Sequence, residues 1–191
     1  LYGDIIMLSD VDEIPNKEYL HSLSYLNVDE ILIAQMRLYR YCSHFESCEK
    51  WYGTISTRYS NKIPELQALR LRAVKYWLED SKCIFLNGGA HLTSFLNAKE
   101  FKKKIQSFSH TELNTFPFNC TLFLHLIMKL GLTLDGNEIL TLNPVFKKEG
   151  SYGECTSKHK FDRERRKVAQ IIRPIVKNLF LKKVKKLNTP E

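Results

Sequence analysis

No stretch of the 191-residue chain approaches the roughly 18 consecutive apolar residues that a bilayer-spanning helix needs. No transmembrane helix is therefore expected within it. The first residues lack a basic start followed by an apolar run, so they do not read as a secretory leader. There is no C-x-x-C pair either. The 5 cysteines (Cys42, Cys48, Cys83, Cys120 and Cys155) stand singly, which argues against a zinc module. Cys42 and Cys48 are near enough in sequence to bridge a short loop in an oxidising compartment. Repeats and low-complexity tracts are absent. With 43% apolar and 12% aromatic residues, the chain has the material for a packed core and does not read as disordered. It opens on Leu1-Tyr2-Gly3-Asp4 and passes almost at once into an apolar strand, so we expect further sequence upstream.

A uniform basic field is also missing. The formal charge of +8 is concentrated at one end. Residues 158–191 hold 12 Lys and Arg against 3 Asp and Glu, whereas residues 1–157 hold 17 against 18. The body is thus nearly neutral, and no specific nucleic-acid partner is expected for it. We divide the chain at that point into a body, 1–157, and a basic helical tail, 158–191. The tail is the segment through which contact with a membrane or another anionic partner is expected, unless it stays solvated.

The elements alternate. Residues 4–9 read as a buried strand, because Ile5, Ile6, Met7 and Leu8 form an unbroken apolar run. Asp10-Val11-Asp12-Glu13-Ile14-Pro15 ends it as an acidic turn. Asn16 caps a helix whose apolar stripe is Tyr19, Leu20, Leu23 and Leu26. Strands follow at 30–41 and 51–59. A short helix is expected at 65–76, and an apolar strand broken by Gly88-Gly89 and then resumed at 83–95. Helices are expected at 98–108 and 119–130. A short strand pair at 132–142 turns at Asp135-Gly136. The tail from 161 to 187 is helical with an interruption at Pro174. Asn119-Cys120-Thr121 fits an N-glycosylation acceptor. This order predicts an α/β domain with a mixed sheet flanked by helices. Ligands in such sheets bind beyond the carboxyl ends of strands, where the acidic turn lies.

In extended geometry, side chains two apart point the same way, so Asp10 and Asp12 would meet one hard cation, Mg2+ or Mn2+. Such an ion keeps waters and takes phosphate oxygens as further ligands. The same residues could equally solvate a strand end and cap a helix.

Three ordered blocks resemble glycosyltransferase family 17. The run from Asp4 to Pro15 looks like that family's metal-binding segment. Trp51-Tyr52-Gly53, with Leu69-Arg70 later, resembles its middle strands. Asn87-Gly88-Gly89-Ala90-His91-Leu92-Thr93-Ser94-Phe95, followed by Lys104 to Glu112, resembles its G-G-W-H and S-H-Q-E blocks. Ala90 stands where the family usually has Trp. The family's nucleotide-binding strands lie ahead of the acidic turn, so they are expected outside this chain.

The resemblance implies a GT-A-type fold and an inverting transfer from a nucleotide sugar, UDP-N-acetylglucosamine in the eukaryotic branch. The acceptor is a glycan, such as the N-linked glycan of a glycoprotein. For that branch it also implies a Golgi membrane enzyme facing the lumen, and otherwise a cytoplasmic one. Asp10 and Asp12 are then the metal ligands, and Glu13 orients the metal shell. His91, Gly88, Gly89 and His110 face the donor phosphates. Inversion needs a base for the acceptor hydroxyl, and Glu112 is the first candidate, ahead of Asp135 and Glu13. His91 and His110 could instead be packed structural histidines, the glycines could serve backbone geometry, and Trp51, Tyr52 and Trp77 fit either a sugar platform or a core.

Two other readings remain open. An aspartyl phosphatase or phosphotransferase also places D-x-D at a strand end and uses Mg2+. A non-catalytic interaction module with a basic tail would need the acidic turn only as structure.

Overall fold

The computed structural model describes residues 3–28, 30–60, 84–107, 113–142 and 155–187. The chain divides into two compact units: Leu1–Tyr39 with Glu49–Thr93, and Arg40–Cys48 with Ser94–Glu191. The helix expected at 65–76 lies outside the described residues. Among the described residues, no helix is long and apolar enough to cross a membrane.

The first unit carries β1 (Ile5–Leu8), β2 (Glu13–Pro15), α1 (Lys17–Ser22) with a 3-10 turn at Leu23–Tyr25, β3 (Ile31–Arg40), most of β4 (Phe45–Arg58) and β5 (Ile84–Thr93). The α/β class and mixed sheet are as expected, with strand order β1-β4-β3-β5-β2. β1 runs antiparallel to β4, from Ile5 opposite Arg58 to Leu8 opposite Ile55. β2 runs antiparallel to β5, pairing Glu13 with His91, Ile14 with Ala90 and Pro15 with Gly89.

β1 and β2 stand at opposite ends of this order, yet only Ser9 to Asp12 join them. That link reaches about 17 Å when fully extended. Five flat strands would hold the two edges about 19 Å apart. The sheet therefore curls, and the acidic turn crosses the gap between its edges.

β1 departs from expectation. A fully apolar run predicts burial on both faces, but Ile5 and Met7 are 41% and 44% exposed; among the described residues β1 ends the strand order and pairs with β4 alone. β5 departs as well, running unbroken through Gly88-Gly89. A Cβ on Gly88 would stand 2.7 Å from that of Ala34 on β3, and one on Gly89 (φ +146°) would stand 2.2 Å from the Ile14 carbonyl oxygen on β2. The glycines let β5 pass between two close backbones, so no break is needed.

The α1 cap is as expected: the Asn16 side chain accepts from the Tyr19 amide at 2.8 Å. Tyr19, Leu23 and Leu26 are buried and Leu20 points outward. Tyr19 packs with Leu23, Ala34 and Met36 on one face of the sheet, and Ile33 with Ile55 on the other. The Tyr19 hydroxyl lies 2.9 Å from the Ser56 hydroxyl and near the Leu32 and Thr54 carbonyls. Burial pushes its pKa up to about 12.

The second unit holds the first residues of β4, paired with β6 (Thr141–Leu142), together with α2 (Ala98–Ser107), α3 (Thr121–Leu130) and α4 (Cys155–Leu187). Its core gathers Tyr41, Phe101, Ile105, Leu124, Ile127, Leu132, Leu140, Ala169 and Val176. The strand pair expected at 132–142 reduces to a single bridge, Leu132 to Ile139, because the Gly136 turn closes after too few residues to build a ladder. α4 runs without interruption through Pro174, which lies on its exposed side while Ala169 and Val176 are fixed in the core. The basic segment is thus tied into the unit. Arg165 is buried and donates to the Leu130 and Leu140 carbonyls and to Asp162. Arg163, Lys167, Lys177 and Lys182 remain exposed.

Candidate functional site

The acidic turn begins where β1 ends. The Glu13 amide donates to the Asp10 carbonyl at 3.0 Å, closing a tight turn with Val11 and Asp12 at its centre. The extended geometry expected for these residues is therefore not adopted, because the chain must reverse to enter β2. Val11 projects fully into solvent, while Asp10 and Asp12 are partly exposed. Neither acid is sealed away.

β2 then fixes the turn on the sheet. Pairing Glu13 with His91 brings the histidine beside Asp12, with Nε2 3.3 Å from the Asp12 carboxylate. The Leu92 amide also donates to the Asp12 carbonyl at 2.8 Å. The His91 side chain is 8% exposed against 34% for Asp12, so a buried imidazole backs a carboxylate that faces water. The Trp51 ring lies against it with centroids 4.4 Å apart, and the buried Nδ1 of His91 finds no hydrogen-bond partner among the described residues. At the exit, Asn16 donates from its amide to Gly88 and from its side chain to Asn87.

Glu13 is buried beneath the turn. Its Oε1 accepts from the Trp51 indole at 2.7 Å, and its Oε2 from the Asp10 amide at 3.1 Å, the Thr54 hydroxyl at 3.3 Å and the Ser9 hydroxyl at 3.4 Å. These donors satisfy lone pairs that burial removes from water, without which a buried carboxylate is costly. A Cβ on Gly53 would stand 2.7 Å from the Glu13 carboxyl carbon, so glycine there leaves the space the carboxylate occupies.

The structure thus brings Asp10, Asp12, Glu13 and His91 together. Gly88 and Gly89 sit against Ala34 and the β2 backbone, and the space they leave is filled by chain. His110, Glu112 and Trp77 lie outside the described residues. Asp135 belongs to the second unit. Burial raises its pKa, but the Thr133 hydroxyl and the Asn137 amide and side chain outweigh that and hold it below the usual carboxylate range. A carboxylate so occupied serves its turn better than it would serve as a base. Trp51, Gly53, Thr54 and Ser9 escaped the sequence reading as partners of Glu13. The one signal was the Trp51/Gly53 spacing, which places both on one side of a strand.

Among the described residues, no three or more His, Cys, Asp or Glu are gathered so as to hold a metal by themselves. Asp10 and Asp12 offer hard oxygen donors at a solvent-facing turn. That suits Mg2+ or Mn2+, which take one or two carboxylates and complete their shell with water and phosphate.

A family model for glycosyltransferase family 17 matches residues 1–119, more than half of the chain and the whole span of this site. No curated protein and no solved structure matches the chain.

Proposed function

The chain belongs to glycosyltransferase family 17, and from that membership we propose that its acidic turn is the metal-diphosphate site of an inverting, UDP-N-acetylglucosamine-dependent transferase of GT-A type acting on a glycan acceptor. One observation carries the reading: Asp10 and Asp12 sit on a turn that is open to solvent in front and held from behind by His91 and Glu13.

Asp10 and Asp12 would hold the divalent cation. When bound, it neutralises charge growing on the departing diphosphate. Glu13 keeps the turn closed by accepting the Asp10 amide, and His91 anchors one oxygen of the Asp12 carboxylate, which stays partly exposed. A base must remove the acceptor hydroxyl proton as the new glycosidic bond forms. On the resemblance of its block, Glu112 is our candidate, and the same resemblance gives His110 a role in binding the donor. An N-linked glycoprotein glycan as acceptor, and a Golgi lumenal location, follow from the eukaryotic branch of the family.

The test is manganese-dependent UDP binding by the intact enzyme, followed by calorimetry. Changing Asp10 and Asp12 together to Ala should abolish it while the circular dichroism spectrum stays unchanged. A folded double variant that binds like the unaltered protein would end the reading.

A further inference from the structure

We propose that Trp51 is a positioning residue, holding both acids of the turn at once through the N–H and the ring surface of one indole. The inference rests on the metal-diphosphate reading above and deepens it.

Trp51 stands on β4 four residues before Ile55, the partner of Leu8 at the end of β1. It therefore lies just past the end of β1, beside the turn. Its indole N–H donates to Glu13 Oε1 at 2.7 Å, and the other oxygen of that carboxylate accepts the Asp10 amide at 3.1 Å. Its ring packs on His91, whose Nε2 meets the Asp12 carboxylate at 3.3 Å. One side chain thus reaches Asp10 through Glu13 and Asp12 through His91.

The His91 arm has a further feature. A histidine that works beside a metal ligand is ordinarily aimed by a hydrogen bond at its second nitrogen. Here Nδ1 is buried without such a bond among the described residues, and the ring packs against Trp51, which aims it. Gly53 keeps both arms in place. A Cβ there would stand 2.9 Å from Trp51 Cδ1 and 2.7 Å from the Glu13 carboxylate. Tryptophan offers both a ring-edge N–H and a broad aromatic face: phenylalanine lacks the donor, and leucine lacks the ring as well.

Trp51 also packs against the cluster around Tyr19, Ala34 and Met36, so a purely structural role must be separated from positioning. The experiment measures the Mn2+ concentration giving half-maximal UDP binding to the intact enzyme, for the unaltered protein, Trp51→Phe, Trp51→Leu and the Asp10→Ala/Asp12→Ala control, with thermal unfolding recorded for each. We expect Trp51→Phe to raise the Mn2+ requirement roughly tenfold, the scale of losing a partner that orients a metal ligand. Trp51→Leu should raise it further, and both should regain full UDP occupancy at saturating Mn2+. An unchanged Mn2+ requirement in folded Trp51→Phe, or lost occupancy that Mn2+ does not restore, overturns the positioning role. The control separates the two ideas: if it loses binding, the metal-diphosphate reading stands whatever Trp51 does, and if it binds normally, both fall. Should Trp51→Leu not fold, Trp51→Phe decides alone.

Discussion

His91 Nε2 lies 3.3 Å from the Asp12 carboxylate, from the strand position directly opposite Glu13. A residue nearly eighty positions along the chain thus supports the acidic turn from behind while leaving its outer side open.

That contact predicts a binding defect in His91→Ala. With the imidazole gone, Asp12 loses its partner and Trp51 loses its packing surface. Manganese-dependent UDP binding should weaken by about tenfold, the lower end of what loss of such a partner costs. His91→Gln keeps a side-chain donor and should retain more of the affinity. Titration calorimetry on both variants checks this ordering, and equal affinity in both would speak against it.

Glu13 should matter to stability as well as to the site. Glu13→Ala leaves the Trp51 indole and the Asp10 amide without their acceptor in a buried place. The expected loss is about 3 kcal/mol, from stranded donors and lost packing together. Gly53→Ala should destabilise too, since its Cβ would press on the same carboxylate. Equilibrium urea unfolding measures both, and in the combined variant the two costs should fall short of additive.

The third prediction concerns acid. Burial tends to raise the Asp162 pKa, but its hydrogen bonds and ion pairs with Arg165 and Arg166 outweigh that and hold it low. A carboxylate depressed in the folded state contributes stability above its unfolded pKa of about 3.9 and loses it as pH falls through the folded value. The thermal midpoint should therefore drop on acidification below about pH 4. Asp162→Asn should start lower at neutral pH and show a shallower slope. Parallel profiles for the two proteins would contradict this.

Much of this was legible in the residues. Asn16 announced its helix, and the acidic turn stood at a strand end as read. What failed was whatever depended on distant neighbours. Ile5 to Leu8 read as a buried strand because an apolar run does not reveal what will cover it, and among the described residues it ends the strand order with Ile5 and Met7 exposed. Gly88-Gly89 read as a break because glycine marks both breaks and close approaches; only the β2 backbone decides between them. Pro174 read as an interruption, but the core contacts of Ala169 and Val176 on either side outweigh its local cost. Trp51 meets Glu13 across 38 positions, a distance that periodicity cannot see.

The most direct measurement is UDP binding to the intact enzyme with Mn2+ present and after its removal by a chelator. If Asp10 and Asp12 hold a cation that the diphosphate shares, UDP should bind with Mn2+, lose most of its affinity in the chelator, and recover when Mn2+ is restored. UDP binding of equal strength with and without the metal would contradict the central claim.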